Sequence, residues 1–398
     1  MHYASITERL ADLGSGKWAV HLAARERIAS GEPIIELTIG EPDVPVDPAL
    51  VAACTDAMTA GRTRYSSGRG EPELLAVLAE KYSERAGRRV TPENVLCFPG
   101  TQTALFAVML TLTEAGDDVL VGDPFYATYE GIIRASGAGM RTVPLRAEAG
   151  FRMQAKDLEA AITPECRVLL LNSPHNPTGA VLSAEDVAAI GAVCEKHDLW
   201  IVCDEVYEEL VFEGEAASPF DDPRFAERAI AVSSISKSHA APGFRSGWAI
   251  GPAEFCRRAL PVSETMLFGN QPFIADMTTA ALSNDPGTSR GMRKAYRRRA
   301  RLIEEALREA PGLRPLPPAA GMFILLDVSP TGLAGADFAL ALLDEAGVAV
   351  MPGSSFGDNA EAYVRLSLTV PDETLREACR RIGDFAASLM ANGIAAHG

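Results

Sequence analysis

The sequence predicts an α/β protein: a large domain with a mostly parallel sheet sandwiched by helices, and a smaller α/β domain drawn from both chain ends. Three observations predict it. Short runs that are apolar throughout recur in the middle of the chain, as strands buried on both faces of a parallel sheet must be. Segments of helical spacing separate those runs, which makes β-α-β units with right-handed crossovers. The stretches before residue 46 and after residue 282 break that alternation, so the expected division is 46–282 for the large domain and 1–45 with 283–398 for the small one.

The expected strands of the large domain are Val95–Phe98, Asp118–Val121, Val168–Asn172, Leu199–Cys203, Ala229–Ser233 and Trp248–Ile250. Each ends in a polar or glycine-containing segment. Ser183-Ala-Glu-Asp186 reads as a capping-box helix start with Asp in place of the usual Glu. Val187, Ile190 and Cys194 then follow at helical spacing, and the helix ends near His197. Residues 1–45 carry little strand signal and hold the turn-rich Gly40-Glu-Pro-Asp43. From about 283 the pattern gives an arginine-rich helix (Ser289 to Ala310), a strand at Phe323–Asp327 and a helix near 337–346. A short strand near 348–351, a strand at Tyr363–Leu368 and a final helix from Asp372 complete it. Pro315, Pro317 and Pro318 mark a loop.

Composition narrows the function classes. The 398 residues are 47% apolar and 23% charged, which fits a globular protein rather than a disordered one. With 37 basic and 53 acidic residues the net charge is −16, which argues against a nucleic-acid or anionic-membrane binder. No apolar run approaches the roughly 18 residues of a membrane helix, and no signal peptide is recognisable. Seven scattered cysteines without CxxC spacing predict neither a disulfide framework nor a zinc site, so a reducing cytoplasm is expected. The six histidines show no HExxH spacing, so no metal site is expected. Arg293 to Arg301 reads as the solvated face of an amphipathic helix. Gly14-Ser15-Gly16 is too short for a dinucleotide fingerprint.

Five strand ends carry chemistry-bearing residues. After one strand comes Ser233-Ser-Ile-Ser-Lys237-Ser-His-Ala-Ala-Pro-Gly243-Phe-Arg245-Ser-Gly247-Trp248. The chain has only six lysines against 31 arginines, so a lysine among small residues stands out. Hydroxyls and a guanidinium suit a phosphate, and a lysine beside a phosphate anchor suits a Schiff base to a phosphorylated aldehyde. Alone, SxxK is more often a surface turn. Asp204-Glu-Val-Tyr207 follows the next strand, at the edge where open α/β sheets bind ligands. An aspartate there can pair with a protonated ring nitrogen; the commoner use is a helix N-cap. Asn172-Ser-Pro-His-Asn176-Pro-Thr-Gly179 is a rigid loop after a third strand. Pro99-Gly100-Thr101-Gln102 opens a helix after a fourth, where backbone N–H groups attract anions. In Asp123-Pro-Phe-Tyr126 an aromatic ring reaches the same edge and can stack on a flat group.

As a set these segments resemble the class I/II aminotransferases of the pyridoxal-phosphate fold type I. The resemblance runs from about Ile39 to Arg381, and in pattern it is closest to arginine–pyruvate and aspartate-type transaminases. It implies pyridoxal 5′-phosphate as cofactor, held by Lys237 through a Schiff base, with Lys237 then moving the substrate proton. Asp204 would keep the pyridine nitrogen protonated, so that the ring acts as an electron sink. Tyr207 and Asn176 would hydrogen-bond the ring oxygen. Ser234, Arg245 and the backbone of Thr101 and Gln102 would bind the phosphate, Gly100 would be a further cofactor-binding residue, and Tyr126 would stack on the ring. Arg365, in Tyr363-Val-Arg-Leu-Ser-Leu368, would clamp the substrate carboxylate, with the Gly40 backbone beside it. Tyr65, in Thr63-Arg-Tyr65-Ser-Ser-Gly, matches a tyrosine that reaches a partner subunit's phosphate, which implies a homodimer with shared sites.

The implied function is amino-group transfer between an L-amino acid and a 2-oxo acid, arginine:pyruvate or aspartate-type. A pyridoxal-phosphate C–S β-lyase is the alternative on the same residues. A serine hydrolase would need SDN and KTG companions, which are missing. A cofactor-sensing regulator would need a DNA-binding domain. Two positions depart from the family pattern: Glu73-Leu74-Leu75, expected only to pack a helix, and His175, expected to have no catalytic role.

Overall fold

The computed structural model of the protein describes residues 2–11, 13, 16–284 and 287–396. Gly14 and Ser15, the first two residues of the Gly14-Ser15-Gly16 segment, lie outside the described residues.

The central sheet has seven strands: β1 (Val95–Phe98), β2 (Asp118–Asp123), β3 (Gly139–Pro144), β4 (Cys166–Asn172), β5 (Trp200–Asp204), β6 (Ala229–Ser234) and β7 (Gly247–Ile250). Their order is β3-β2-β4-β5-β6-β7-β1. Strand β7 runs antiparallel to both neighbours, and the other pairings are parallel. Side-chain alternation splits these strands between two cores. Leu169, Leu171, Ile201 and Cys203 enter one, whereas Val168, Leu170, Val202 and Ile230 enter the other. Every expected strand of this sheet is present. Strand β3 is an addition to the expected set, because it is an edge strand with exposed and half-buried residues and lacks the apolar run of a central one.

Helix α1 (Ala184–Lys196) starts as its sequence demands. The Ser183 hydroxyl accepts from the Asp186 N–H at 3.2 Å, and the Asp186 carboxylate accepts from the Ser183 N–H at 2.9 Å. Such a cap is worth about 1 kcal/mol.

A third core gathers residues from both chain ends, among them Val20, Leu37, Ile303, Ile324, Leu366 and Ile382. It packs a second sheet of β8 (Arg314–Leu316), β9 (Phe323–Asp327), β10 (Met351–Pro352) and β11 (Tyr363–Ser367), ordered β10-β11-β9-β8. Pro315, expected in a loop, lies in β8. This is an edge strand, where a missing N–H costs no ladder bond. The single strand expected near 348–351 divides in two. Val348–Ala349 pairs in parallel with Ile35–Glu36, and Met351–Pro352 pairs with β11.

The arginine-rich segment forms α2 (Thr288–Leu307), and it is not uniformly solvated. Arg299 is buried on its inner face, with Asp43 at 2.9 Å, Asp372 at 3.1 Å and the Leu368 carbonyl at 2.9 Å. Charge alone could not reveal this, since only partners from Asp43 and Asp372 make burial of that guanidinium tolerable. Among the described residues no helix is long and apolar enough to cross a membrane, and no cluster of His, Cys, Asp and Glu is arranged to hold a metal.

Candidate active site

The C-terminal ends of β1, β4, β5 and β6 lie at one edge of the central sheet and deliver Gly100, Asn172, Asp204 and Ser234 there. A cavity of about 490 Å³ opens at that edge, and β11 closes it from the other side with Arg365.

Lys237 sits in a four-residue helix, Ile235–Ser238, directly after β6. Ser234 caps this helix, its hydroxyl accepting from the Ser236 N–H at 3.3 Å. The Lys237 ammonium donates to the Gly40 carbonyl at 2.7 Å. Burial lowers its pKa to about 8; Arg365 and Arg245 push the same way, and Glu41 and Asp204 oppose them.

Asp204 is the last residue of β5 and is buried. Burial raises its carboxyl to about 6, against the Tyr129 hydroxyl at 2.8 Å, the Val206 N–H at 3.2 Å and the charge of Lys237. Asn172 ties the neighbouring loop to it. Its side-chain NH₂ donates to the Asp204 carbonyl at 2.9 Å, and its side-chain oxygen accepts from the Asn176 N–H at 2.8 Å. The Asn176 NH₂ in turn lies 3.4 Å from the Tyr207 hydroxyl. Burial raises the phenols of Tyr207 and Tyr126, so both stay protonated as donors. Tyr126 lines the cavity wall.

Arg365 is buried on β11. It donates to the Asn176 side-chain oxygen at 3.0 Å and to the Thr38 carbonyl at 2.6 Å. Its guanidinium lies 3.9 Å from the Phe323 ring centroid and 4.5 Å from that of Phe356. Its Nε makes no hydrogen bond. Among the described residues no carboxylate ion-pairs with it, and burial lowers its pKa to about 10. A buried cation without a counter-ion is costly unless an anion binds there.

Arg245 and the start of the helix after β1 line another part of the same cavity. Gly100 has φ +90° and caps the helix Thr101–Leu112. A Cβ there would lie 2.2 Å from Arg245 Nη2, so only glycine lets that guanidinium approach the helix start. Arg245 donates to the carbonyls of Pro242 at 2.8 Å and Pro99 at 3.3 Å. The Thr101 hydroxyl is buried and unbonded, beside the positive end of the helix. Gln102 lines the same wall and accepts from the Thr128 hydroxyl at 3.0 Å.

The structure therefore brings together Gly40, Thr101, Gln102, Tyr126, Asn176, Asp204, Tyr207, Lys237, Arg245 and Arg365, with Gly100 and Ser234 supporting them. Tyr65 is set apart. It is 88% exposed and touches Phe268, with ring centroids 5.4 Å apart. Leu74 and Leu75 are buried in the helix Pro72–Ala86. His175 is held neutral by burial, its pKa lowered to about 4, and bonds Thr178 at 2.8 Å. Sequence reasoning missed Trp18, Glu41, Tyr129 and Phe323 on the cavity wall. Tyr129 had a signal, standing one helical step beyond Tyr126; Trp18 and Phe323 had none, because they come from distant segments.

The sequence model of aminotransferase class I and II matches residues 32–382. The chain belongs to this family. It is a pyridoxal-phosphate-dependent aminotransferase. An arginine–pyruvate transaminase of Pseudomonas aeruginosa is 44% identical to it, over 98% of this chain and 99% of the relative. An aspartate/prephenate aminotransferase of Thermus thermophilus is 36% identical, over 91% and 94%. Among solved structures, the Thermus thermophilus aspartate aminotransferase with maleate superposes with a TM-score of 0.90 at 34% identity, covering 98% of this chain and 100% of that one. The aspartate aminotransferase of Rhizobium meliloti gives 0.92 at 28% identity, covering 97% and 99%. The carbon–sulfur lyase alternative draws no support from these relatives.

The aminotransferase's residues fit its cofactor. The glycine cradle at Gly100, the unbonded Thr101 hydroxyl and Arg245 suit a phosphate, and a carboxylate, phenols and an amine suit a pyridine aldehyde.

Proposed function

We propose that Lys237 holds pyridoxal 5′-phosphate in this cavity and that the chain transfers the amino group of a non-acidic, preferably cationic, L-amino acid to a small 2-oxo acid such as pyruvate. When bound, the cofactor supplies an aldehyde for the substrate amine and a ring that withdraws electrons from the substrate Cα. Asp204 holds the proton on the ring nitrogen as its charged partner. Tyr207 and Asn176 donate to the ring oxygen, Tyr126 covers the ring, and Gly100, Thr101, Gln102, Ser234 and Arg245 take the phosphate. Lys237 Nζ, with its pKa lowered to about 8, takes and returns the proton at Cα. Arg365 clamps the α-carboxylate bidentately, beside the Gly40 backbone.

The observation that carries this reading is Arg365: a buried guanidinium with a free Nε and no acidic partner among the described residues, in one cavity with Lys237 and Asp204. The preference for a non-acidic donor rests on the charges lining that cavity. Its cations are Lys237, Arg245 and Arg365, each with a role already. The carboxylate left without one is Glu41, which suits a guanidinium or ammonium better than a second carboxylate. The arginine–pyruvate name of the 44% identical relative agrees.

The same reading takes the enzyme as a cytoplasmic homodimer, with Tyr65 reaching the partner subunit's site. It divides the chain into 46–282 around the central sheet and 1–45 with 283–398 around the third core. A panel of amino donors against pyruvate and 2-oxoglutarate tests the function. Arginine should lead and aspartate should trail by at least about tenfold in kcat/KM, roughly the worth of one charge pair. Ammonia and pyruvate released in equal amounts from a sulfur amino acid would instead mark a lyase.

A further inference from the structure

The hydrogen bond from Tyr129 to Asp204 has no part in the roles proposed for the cavity residues. Tyr129 opens the helix Tyr129–Ser136, which follows β2 rather than β5, and its side chain is almost wholly buried. Its hydroxyl donates to Asp204 Oδ2 at 2.8 Å. Its ring is braced edge-on by Tyr126, at 5.5 Å and 85°, and its N–H bonds the Tyr126 carbonyl at 3.0 Å. Tyr129 also lines a small cavity of about 30 Å³, with Val121, Phe125, Leu145, Phe151, Asn172 and His175. The phenol is thus buried against the carboxylate it donates to.

Groups facing the Asp204 carboxylate are few. They are the phenols of Tyr129, Tyr126 and Tyr207, the Lys237 ammonium and the Val206 N–H, with the Cys203 thiol one residue behind. Tyr129 is the side chain among these that hydrogen-bonds it. Oδ1 accepts one N–H at 3.2 Å, and an ionised carboxylate keeps further acceptor sites. Both burial and the nearby carboxylate raise the Tyr129 phenol well above its ordinary value, so it remains the donor.

We infer that Tyr129 is a positioning residue for the cofactor's ring nitrogen: it fixes one oxygen of Asp204 and holds the carboxylate ionised, so that the other oxygen is free to pair with a protonated pyridine. A neutral Asp204 would offer the ring no charge and could not hold that proton. The inference rests on the reading that Asp204 is the ring-nitrogen partner. Without Tyr129, burial alone would set the carboxyl, and its neutral fraction would rise near neutral pH.

The test is a double-mutant cycle on the full-length protein, with pyridoxal 5′-phosphate affinity measured by absorbance titration at pH 6.5 to 9. Tyr129→Phe keeps the ring and its packing, and melting temperatures of the same samples report the fold. In an otherwise wild-type chain Y129F should weaken cofactor binding about 10- to 100-fold near pH 6.5, the worth of a hydrogen bond to a charged group. The loss should shrink as pH rises to 9, where Asp204 ionises unaided. In a D204N background Y129F should add almost nothing. An equal loss in both backgrounds, a loss independent of pH, or no loss at all would overturn the inference while leaving Asp204 in its role. Unchanged cofactor affinity and turnover in D204N alone would overturn the underlying reading instead.

Discussion

The Arg365 guanidinium donates to the side-chain oxygen of Asn176 at 3.0 Å, joining residues 189 positions apart. One loop after β4 thus holds the cation read as the carboxylate clamp while it also faces the phenol of Tyr207. Arg365→Lys should therefore lose more than geometry. A lysine cannot keep the Asn176 and Thr38 bonds and also offer a fork to a carboxylate. Steady-state kinetics should show kcat/KM down by about 10²- to 10³-fold, mostly through KM, with cofactor affinity close to wild type. A variant with near-normal KM would remove Arg365 from the substrate site.

Lys237 should react with the cofactor more readily than an ordinary lysine, because its pKa is lowered from 10.5 to about 8. The sign follows from the neutral amine being the nucleophile. Below pH 8 its fraction rises about tenfold per pH unit, and above pH 8 it saturates. Rapid-mixing absorbance of the apoprotein with pyridoxal 5′-phosphate should show the rate levelling off near pH 8. A rate still climbing toward pH 10 would contradict the buried setting of Lys237.

Asp204 should cost the apoprotein stability at neutral pH. Its folded pKa, about 6, exceeds the unfolded value of 3.8, so the folded state binds the proton more tightly. The favourable contribution is complete below pH 4 and is lost as pH rises through 6. Asp204→Asn should therefore stabilise the apoprotein by about 1–3 kcal/mol at pH 8 and not at pH 4, while slowing transamination severely. Denaturant melts at the two pH values check the first statement and single-turnover kinetics the second. Equal stability changes at both pH values would contradict a raised Asp204 pKa.

Gly100→Ala should damage the phosphate end alone. The substitution meets both a left-handed φ of +90° and a 2.2 Å approach to Arg245. Cofactor affinity should fall by at least about tenfold, with the far-ultraviolet circular dichroism of the apoprotein unchanged. Wild-type affinity would show that Arg245 does not need its present position.

The central sheet was legible because its inner strands are buried on both faces and their apolar runs cannot be polar anywhere. Lys237, Asp204 and Asn176 were legible for a related reason: strand ends at one edge must meet, so separate motifs became a single site. What sequence could not show was set by long-range partners. Strand β3 is half exposed, Pro315 is allowed by an edge, and Arg299 is buried only because Asp43 and Asp372 arrive from elsewhere. Phe323 and Trp18 reach the cavity from segments with no motif of their own.

Borohydride reduction of the cofactor-loaded protein, followed by digestion and mass spectrometry, tests the central assignment most directly. The pyridoxyl group should appear on the peptide that contains Lys237, at near-full occupancy, and on none of the other five lysines. Its appearance on Lys17, Lys81, Lys156, Lys196 or Lys294 with Lys237 unmodified would contradict a cofactor site built around Lys237.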